Sequence, residues 1–284
     1  VHSLGGGGVF IGEAGWKTSY NPAAGDEVEY NVVDNCFIHD ATHFFHGSPG
    51  VWIGSANNNT VKNCEISDLD YCGVSVGWSW AGDQEFTTAH NNIVEKNHIH
   101  HLGHKEISDF GGVYCLGVSK GTKVRDNIIH HLLGFGKLWG IYLDDGSKHI
   151  EVSGNIIYKV NHQGLITKNG PNIWKNNIFA WPVDQTVRRY TRAGVPAQFT
   201  FENNIVLAHM GIDFYTGGYS ANDNAVIDNN IYWHVNSPAS DLQFDGHTFS
   251  QWQQIGKDTH GKVVDPQFMV THPDAPLEFK LKAG

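Results

Sequence analysis

The sequence lacks several features on which whole classes of protein depend. No apolar run approaches the roughly 18 residues that a membrane-spanning helix needs, so no membrane span is predicted. Basic residues are few, since 19 Lys and Arg stand against 29 Asp and Glu, giving a formal net charge of −10. A chain this acidic, with its basic residues scattered, is a poor partner for nucleic acid or anionic lipid. It is also a weak candidate for binding polyanionic glycans.

Cysteine is scarce as well, and its pattern excludes two kinds of site. The cysteines have neither metal-site nor disulfide-framework spacing; they are Cys36, Cys64, Cys72 and Cys115. We therefore expect buried free thiols. The chain shows no initiator methionine and no signal peptide. We expect a piece of a longer protein that is secreted or periplasmic, with its signal outside these 284 residues.

An internal repeat sets the fold prediction. The phrase Asn-x-Ile, with Val or an aromatic residue allowed at the third place, begins at Asn97, Asn127, Asn155, Asn177, Asn204 and Asn230. Cys36 and Cys64 occupy the same slot upstream, and successive slots lie 22 to 33 residues apart. Such periods indicate a solenoid or a propeller, and propeller blades of about 40 to 50 residues are too long for these intervals.

A second phrase, a glycine followed by alternating residues, lies between the Asn slots. It occurs at 50–53, 73–76, 112–115, 140–143 and 211–214. Short alternating strands bounded by Gly and Asn, without a helical apolar stripe, indicate coils of two or three strands joined by turns. We predict an all-β protein, a right-handed parallel β-helix of about eight coils. It forms a single domain, 1–284, whose C-terminal segment 245–284 is irregular.

The repeat also assigns side chains to columns on the outer surface. Alternation places Val113 and Cys115 inside, so their neighbours point outward. The first predicted outward column is Trp52, Ser75, Tyr114, Tyr142 and Ile166, and the second is Gly54, Gly77, Leu116, Asp144 and Lys168. Aromatic rings beside small residues and a carboxylate are typical of a groove floor. We expect Tyr114 and Tyr142 to bind substrate there, with Lys168.

Four aspartates are the candidate catalytic residues. Asp70 and Asp109 each lie three positions before a strand glycine, which puts them in one column of adjacent coils, about 5 Å apart. Carboxylates that close raise one pKa and supply an acid and a base. Asp144 and Asp145 follow the next strand. The alternatives are turn capping for Asp70, Asp109 and Asp145, and a salt bridge with Lys168 for Asp144.

Histidine and tryptophan supply the other candidate site residues. The aligned pairs 100–101 and 130–131 predict stacked histidines at a turn rather than metal ligands, so no metal and no cofactor are expected. His104 and Glu106 lie in the longest interval, and insertions on a solenoid commonly build its binding face. His162 enters the coil after Asp145. Substrate-stacking roles are predicted for Trp78 and Trp80, which lie in a Gly-containing loop.

Three phrases resemble a known family. They are 71–78 (YCGVSVGW), 108–117 (SDFGGVYCLG) and 139–147 (WGIYLDDGS). These phrases resemble carbohydrate-active right-handed β-helix proteins, and are most similar to glycoside hydrolase family 141. The resemblance implies fucosidase or xylanase activity and an aspartate pair, with Asp109 as one member. Asp144 or Asp145 matches the second place, or Asp70 by its column. The accessory β-sandwich of larger family members has no counterpart in this sequence.

The leading hypothesis is a glycoside hydrolase that uses an aspartate pair on a xylan- or fucose-containing glycan. The first alternative is a polysaccharide lyase, which on uronates normally needs Lys, Arg or Ca²⁺, whereas Lys168 is the one lysine expected in this groove. The second is a non-catalytic carbohydrate-binding β-helix. All three make a carbohydrate the expected partner.

Overall fold

The computed structural model describes residues 1–13, 27–79, 87–192, 195–209, 211–235 and 242–282. The chain forms a right-handed parallel β-helix, as the repeat predicts. Its strands form three parallel sheets that run the length of the solenoid, so each coil contributes one strand to each sheet. We call them the first, second and third sheets in the order in which the chain enters them, and number the coils by their strands in the first sheet.

The strands are short and follow one another in regular rotation. The first sheet contains β1 (Val9–Ile11), β4 (Val51–Ile53), β7 (Val74–Gly77), β10 (Phe110–Leu116), β13 (Leu138–Leu143), β16 (Gln163–Thr167), β19 (Val187–Arg189) and β24 (Tyr215–Thr216). The second contains β2 (Val32–Asp34), β5 (Thr60–Lys62), β8 (Ile93–Glu95), β11 (Lys123–Arg125), β14 (Glu151–Ser153), β17 (Asn172–Lys175), β22 (Phe199–Glu202) and β25 (Ala225–Asp228). The third contains β3 (Phe37–Ala41), β6 (Glu65–Leu69), β9 (His98–Leu102), β12 (Ile128–Leu132), β15 (Ile156–Val160), β18 (Ile178–Ala180), β23 (Ile205–Ala208), β26 (Ile231–His234) and β27 (Lys262–Val263).

Three smaller elements complete the described part of the chain. They are an antiparallel pair, β20 (Thr191–Arg192) with β21 (Val195–Pro196), the helix α1 (Phe249–Gln254) and a 3₁₀ turn (Pro276–Phe279). No helix among the described residues is both long and apolar enough to span a bilayer.

A buried asparagine ladder fixes the turn between the second and third sheets. The backbone N–H and Nδ2 of Asn127 donate to Oδ1 of Asn155 at 3.0 and 2.9 Å, and its Nδ2 also donates to the carbonyl oxygen of Val94. Asn97 donates to Asn127 in the same way. A short amide that both donates and accepts satisfies buried backbone groups on both adjacent coils. The ladder ends at Asp258, whose Oδ1 accepts from Asn230.

Glycine is required where the first sheet approaches the third. A Cβ on Gly140 would lie 2.3 Å from Cγ2 of Ile157, and one on Gly112 would lie 2.5 Å from Cγ2 of Ile129. The phrase predicted at 211–214 does not fit this glycine column. The strand pairing Val187 to Tyr215 puts Phe214, rather than Gly211, at the glycine position of the eighth coil. Phe214 fills the wider interior there.

The C-terminal segment, expected to be irregular over 245–284, contains the short helix α1 and the two-residue strand β27, which extends the third sheet. Trp252 of α1 is fully buried, and its ring lies 4.8 Å from that of Tyr215 and 6.0 Å from that of Phe244. The helix therefore closes the C-terminal end of the core. The free cysteines are buried as expected, except that Cys36 is only half-buried.

Candidate functional site

The predicted outward columns lie on the first sheet. Tyr114 pairs in register with Ser75 and Tyr142, and Tyr142 pairs with Ile166. The expected alternation is therefore confirmed. Tyr114 and Tyr142 are nevertheless buried, because other aromatic rings cover this face.

Five side chains meet at this place, and we call Asp109, Tyr114, Tyr142, Asp144 and Lys168 the acid–tyrosine cluster. The Tyr114 hydroxyl donates to Oδ2 of Asp144 at 2.6 Å, and Nζ of Lys168 lies 2.5 Å from Oδ1 of Asp144. The Tyr142 hydroxyl donates to Oδ1 of Asp109 at 3.2 Å, and the charge of Asp144 also acts on this phenol. Tyr142 thus lies under the influence of an exposed carboxylate, that of Asp109, and of the buried carboxylate of Asp144.

The electrostatics of the cluster keep its phenols protonated. Burial raises the pKa of Tyr142 far above its usual range, and the negative charges of Asp144 and Asp109 raise it further. Burial, followed by the charge of Asp144, does the same to the pKa of Tyr114. Both hydroxyls are therefore protonated near neutral pH and act as hydrogen-bond donors. The ammonium of Lys168 also lies 5.2 Å from the ring centroids of Tyr142 and Tyr190.

Trp78 covers the cluster from the loop that follows β7. Its Nε1 donates to Oγ of Ser75 at 2.8 Å, and its ring lies 5.9 Å from that of Tyr114 and 6.3 Å from that of Trp52. Trp78 is half-buried, so part of its surface remains available to a ligand. The other tryptophan predicted for this loop, Trp80, lies outside the described residues.

The contacts of Asp70 differ from the pairing with Asp109 that its column predicted. Its register with Asp109 follows the strand pairing Val74 to Val113. Its carboxylate, however, is buried and contacts two imidazoles, Nδ1 of His46 at 2.8 Å and Nδ1 of His104 at 3.0 Å. The structure therefore gives Asp70 and Asp109 separate partners.

The remaining predicted residues lie around the edge of the site. Nζ of Lys168 is 3.8 Å from Oδ1 of Asp145, which is more exposed than Asp144. Nε2 of His162 lies 3.0 Å from Oδ2 of Asp184, away from the carboxylates of the cluster. Glu106 is exposed, and its backbone N–H donates to the carbonyl oxygen of Gly103.

Sequence reasoning missed three neighbours of the site. Trp139 packs on Tyr142 with ring centroids 4.2 Å apart, and its Nε1 donates to Oε1 of Gln163. Tyr190 continues the second outward column by one coil, since its backbone N–H donates to the carbonyl oxygen of Thr167. Extending that column by one interval would have found it. His46 comes from an irregular loop, and no repeat signal points to it.

The predicted histidine stacks are confirmed on the outer face of the third sheet. The rings of His100 and His130 lie 5.1 Å apart and 5° from parallel, and those of His101 and His131 lie 4.8 Å apart and 7° from parallel.

A cleft of about 450 Å³ lies nearer the C-terminal end of the same sheet and is bordered by the C-terminal segment. Its aromatic wall is Trp181, whose ring lies 4.9 Å from that of His209. The carboxylate of Asp274 there is paired with Lys159.

Comparisons with known proteins agree on the architecture. A family model described as the right handed beta helix region matches residues 2–180. A solved glycoside hydrolase is 24% identical with a TM-score of 0.54, over 62% of this chain and 31% of that one. An alginate lyase from Paenibacillus sp. str. FPU-7 is 15% identical with a TM-score of 0.54, over 85% and 76%.

A third solved structure is a double-mutant tailspike protein of E. coli bacteriophage HK620 in complex with pentasaccharide. It is 14% identical with a TM-score of 0.51, over 84% of this chain and 53% of that one. At these identities the likeness is one of fold, and the chain spans about a third of the length of the glycoside hydrolase. No curated protein matches the sequence.

Proposed function

The chain belongs to the right-handed β-helix family, and on that premise we propose that it is a polysaccharide-active enzyme with its reaction centre at the acid–tyrosine cluster. The observation that carries the proposal is the Tyr142 phenol, whose hydroxyl donates to Asp109 and whose pKa is raised by the nearby charge of Asp144. Two carboxylates in different surroundings, one exposed and one buried against an ammonium, can divide the roles that glycoside hydrolysis requires.

The proposed roles follow from exposure and charge. Asp109 is exposed, so it can exchange protons with a glycosidic oxygen or a water molecule. Asp144 faces Lys168 and accepts from Tyr114, so its carboxylate is oriented by two partners, as a base or nucleophile requires. Trp78 provides a partly exposed ring for stacking on a sugar. Asp145 is the second candidate for the role given to Asp144.

We propose a xylan- or fucose-containing glycan as the substrate class and a secreted or periplasmic location. The substrate proposal rests on the three phrases that resemble glycoside hydrolase family 141, and an extracellular location matches where such glycans occur. The glycoside hydrolase and the sugar-bound tailspike found among the solved structures support a glycan ligand for this fold.

The test is release of reducing ends from xylans and fucosylated glycans by the purified protein and its Asp109→Asn variant. We expect turnover to fall by about 10²- to 10⁴-fold with sugar binding retained, because a proton-transfer group is lost. Asp144→Asn and Asp145→Asn identify the partner as the variant with the larger loss. The matched control is Asp34→Asn, an exposed aspartate on the second sheet, which is expected to be fully active. Unchanged turnover in Asp109→Asn would remove this residue from the mechanism.

A polysaccharide lyase is the second candidate, and Lys168 is the observation that favours it. A cation beside the phenols of Tyr142 and Tyr190 could neutralise a uronate carboxylate. That charge is already opposed by Asp144 at 2.5 Å, so we rank hydrolysis first. An unsaturated product that absorbs in the ultraviolet, formed from a uronate polymer, would reverse the ranking.

A further inference from the structure

A group of imidazoles on the outer face of the third sheet has no part in the proposed reaction. Strand register stacks Glu65 on His98, and His100 on His130, in adjacent coils. Nε2 of His98 lies 2.7 Å from Nε2 of His130, and Nε2 of His100 lies 3.4 Å from Oε1 of Glu65. One donor atom from each of Glu65, His98 and His100 lies within 4.8 Å of the others.

We propose that Glu65, His98 and His100 bind one divalent transition-metal ion, for which Zn²⁺ is the best fit. We call these three residues, with the neighbouring His130, the histidine cluster. Imidazole nitrogen and carboxylate oxygen are both ligands of Zn²⁺, at about 2.0 to 2.2 Å. Two ligand atoms at a tetrahedral angle around such an ion are about 3.3 Å apart. The 3.4 Å between Nε2 of His100 and Oε1 of Glu65 is close to that value, and the three donor atoms lie within 4.8 Å of one another, so small side-chain movements would bring them around one ion.

The second nitrogen of two of these rings is already held. Nδ1 of His100 contacts Nδ1 of His101 at 2.7 Å, and Nδ1 of His130 contacts Nδ1 of His131 at 2.6 Å. Metal-binding histidines usually have one nitrogen fixed in this way, because the contact sets the tautomer and the ring orientation. When His100 donates through Nδ1, its Nε2 lone pair is available to an ion.

Nε2 of His100 shows that the cluster is incompletely satisfied. The atom is shielded from water and makes no good hydrogen bond to the described residues. Its distance of 3.4 Å from Glu65 is longer than an ordinary N–H···O bond. Buried polar atoms are nearly always paired, and an ion between Glu65 and His100 would pair this one.

The side chain of Glu65 is 51% exposed, so the ion would keep a coordination position open to water.

The experiment is a titration of tag-free, chelator-treated protein with Co²⁺ and Zn²⁺. We expect one Co²⁺ per chain, with the intense visible absorption of a four- or five-coordinate ion, and displacement of Co²⁺ by Zn²⁺ in calorimetry. His98→Gln and Glu65→Gln should each weaken the affinity by about tenfold or more, since loss even of a second-shell partner has that effect.

The matched control is His260→Gln, because His260 also contacts one carboxylate, Asp228 at 2.7 Å, but belongs to no cluster of imidazoles. It should bind the metal as tightly as the unaltered protein. Glu65 is exposed, so its variant should keep the thermal stability of the metal-free protein. Absence of binding, or binding that Glu65→Gln and His98→Gln leave unchanged, overturns the proposal. Loss of affinity in His260→Gln to the same extent would do so as well.

Discussion

In coils two to five, a glycine of the first sheet faces an isoleucine of the third, whereas in the last two coils the same position holds Thr186 and then Phe214. We call coils two to five, where a glycine lets the sheets approach and isoleucine lines the interior, the narrow coils. We call the last two the wide coils; there the ring of Tyr215 contacts those of Tyr232 and Trp252.

The difference separates the proposed chemistry from the closure of the core. In the narrow coils the large aromatic and acidic residues point outward, where Tyr114, Tyr142 and Asp144 meet. In the wide coils the aromatic residues point inward and cover the open end of the solenoid, which would otherwise expose apolar surface. A change in the wide coils should therefore affect stability alone, whereas a change in the narrow coils should also affect activity.

The largest effect on stability is expected from Trp252→Ala at the C-terminal end of the core. Removing a fully buried tryptophan should lower the free energy of unfolding by about 3 to 5 kcal/mol, measured by denaturant unfolding. Turnover well below the unfolding transition should be unchanged, because the acid–tyrosine cluster lies in other coils. A loss under about 1 kcal/mol would show that α1 does not close the core.

Gly140→Ala tests the narrow coils. The added methyl would lie 2.3 Å from Ile157 and 2.7 Å from the carbonyl oxygen of Gly164, so we expect about 1 to 3 kcal/mol of destabilisation. Turnover should also fall, since Tyr142 is two residues away. The control is Gly47→Ala, whose methyl would meet only Ile107, at 3.9 Å, and unfolding should not distinguish it from the unaltered protein.

Asp258→Asn tests the end of the ladder through its pH dependence. Burial raises the pKa of Asp258, so the folded state holds a proton that the unfolded state has released. The stability associated with that proton is complete at low pH. It is lost as the pH rises above about 4, by at most about 1.4 kcal/mol per pH unit.

Asparagine continues the ladder without a titrating group, so the variant should lack this slope. Urea unfolding between about pH 4 and pH 7 measures it. Parallel curves for the two proteins would contradict a buried, proton-binding Asp258.

The smallest effect on stability is expected from Tyr114→Phe. The ring stays packed and Asp144 keeps Lys168, so the loss should be about 1 kcal/mol, that of one hydrogen bond. The effect on turnover should be larger, because Asp144 loses the donor that orients it. Equal turnover in both proteins would place the reaction centre elsewhere.

The parts of the fold that repeat could be predicted, and the parts that occur once could not. Asn127 and Asn155 occupy equivalent positions in successive coils, so counting residues sufficed to find the ladder. Gly211 misled the prediction because glycine was expected at a position where the eighth coil has Phe214. Among the described residues the helix α1 has no counterpart in any other coil, and no periodic signal predicted it.

The candidate site could likewise be predicted where its residues follow the repeat, and not elsewhere. The column of Tyr114 and Tyr142 followed from alternation within the strands. The proposed pairing of Asp70 with Asp109 assumed equal side-chain directions at aligned positions. Asp109, however, has a left-handed backbone with a φ of 63°, and Asp70 contacts His46 and His104 from irregular loops. Side-chain direction at such turns depends on local backbone and loop contacts, which the repeat does not encode.

The asparagine ladder has a mechanical consequence. Each asparagine joins only neighbouring coils, so a force that pulls the chain ends apart should detach the coils one after another from an end. Each event would release 22 to 33 residues, or roughly 75 to 120 Å of extended chain at about 3.3 to 3.6 Å per residue. Because the intervals range from 22 to 33 residues and only 28 occurs twice, the sequence of step lengths would show from which end the coils had come away.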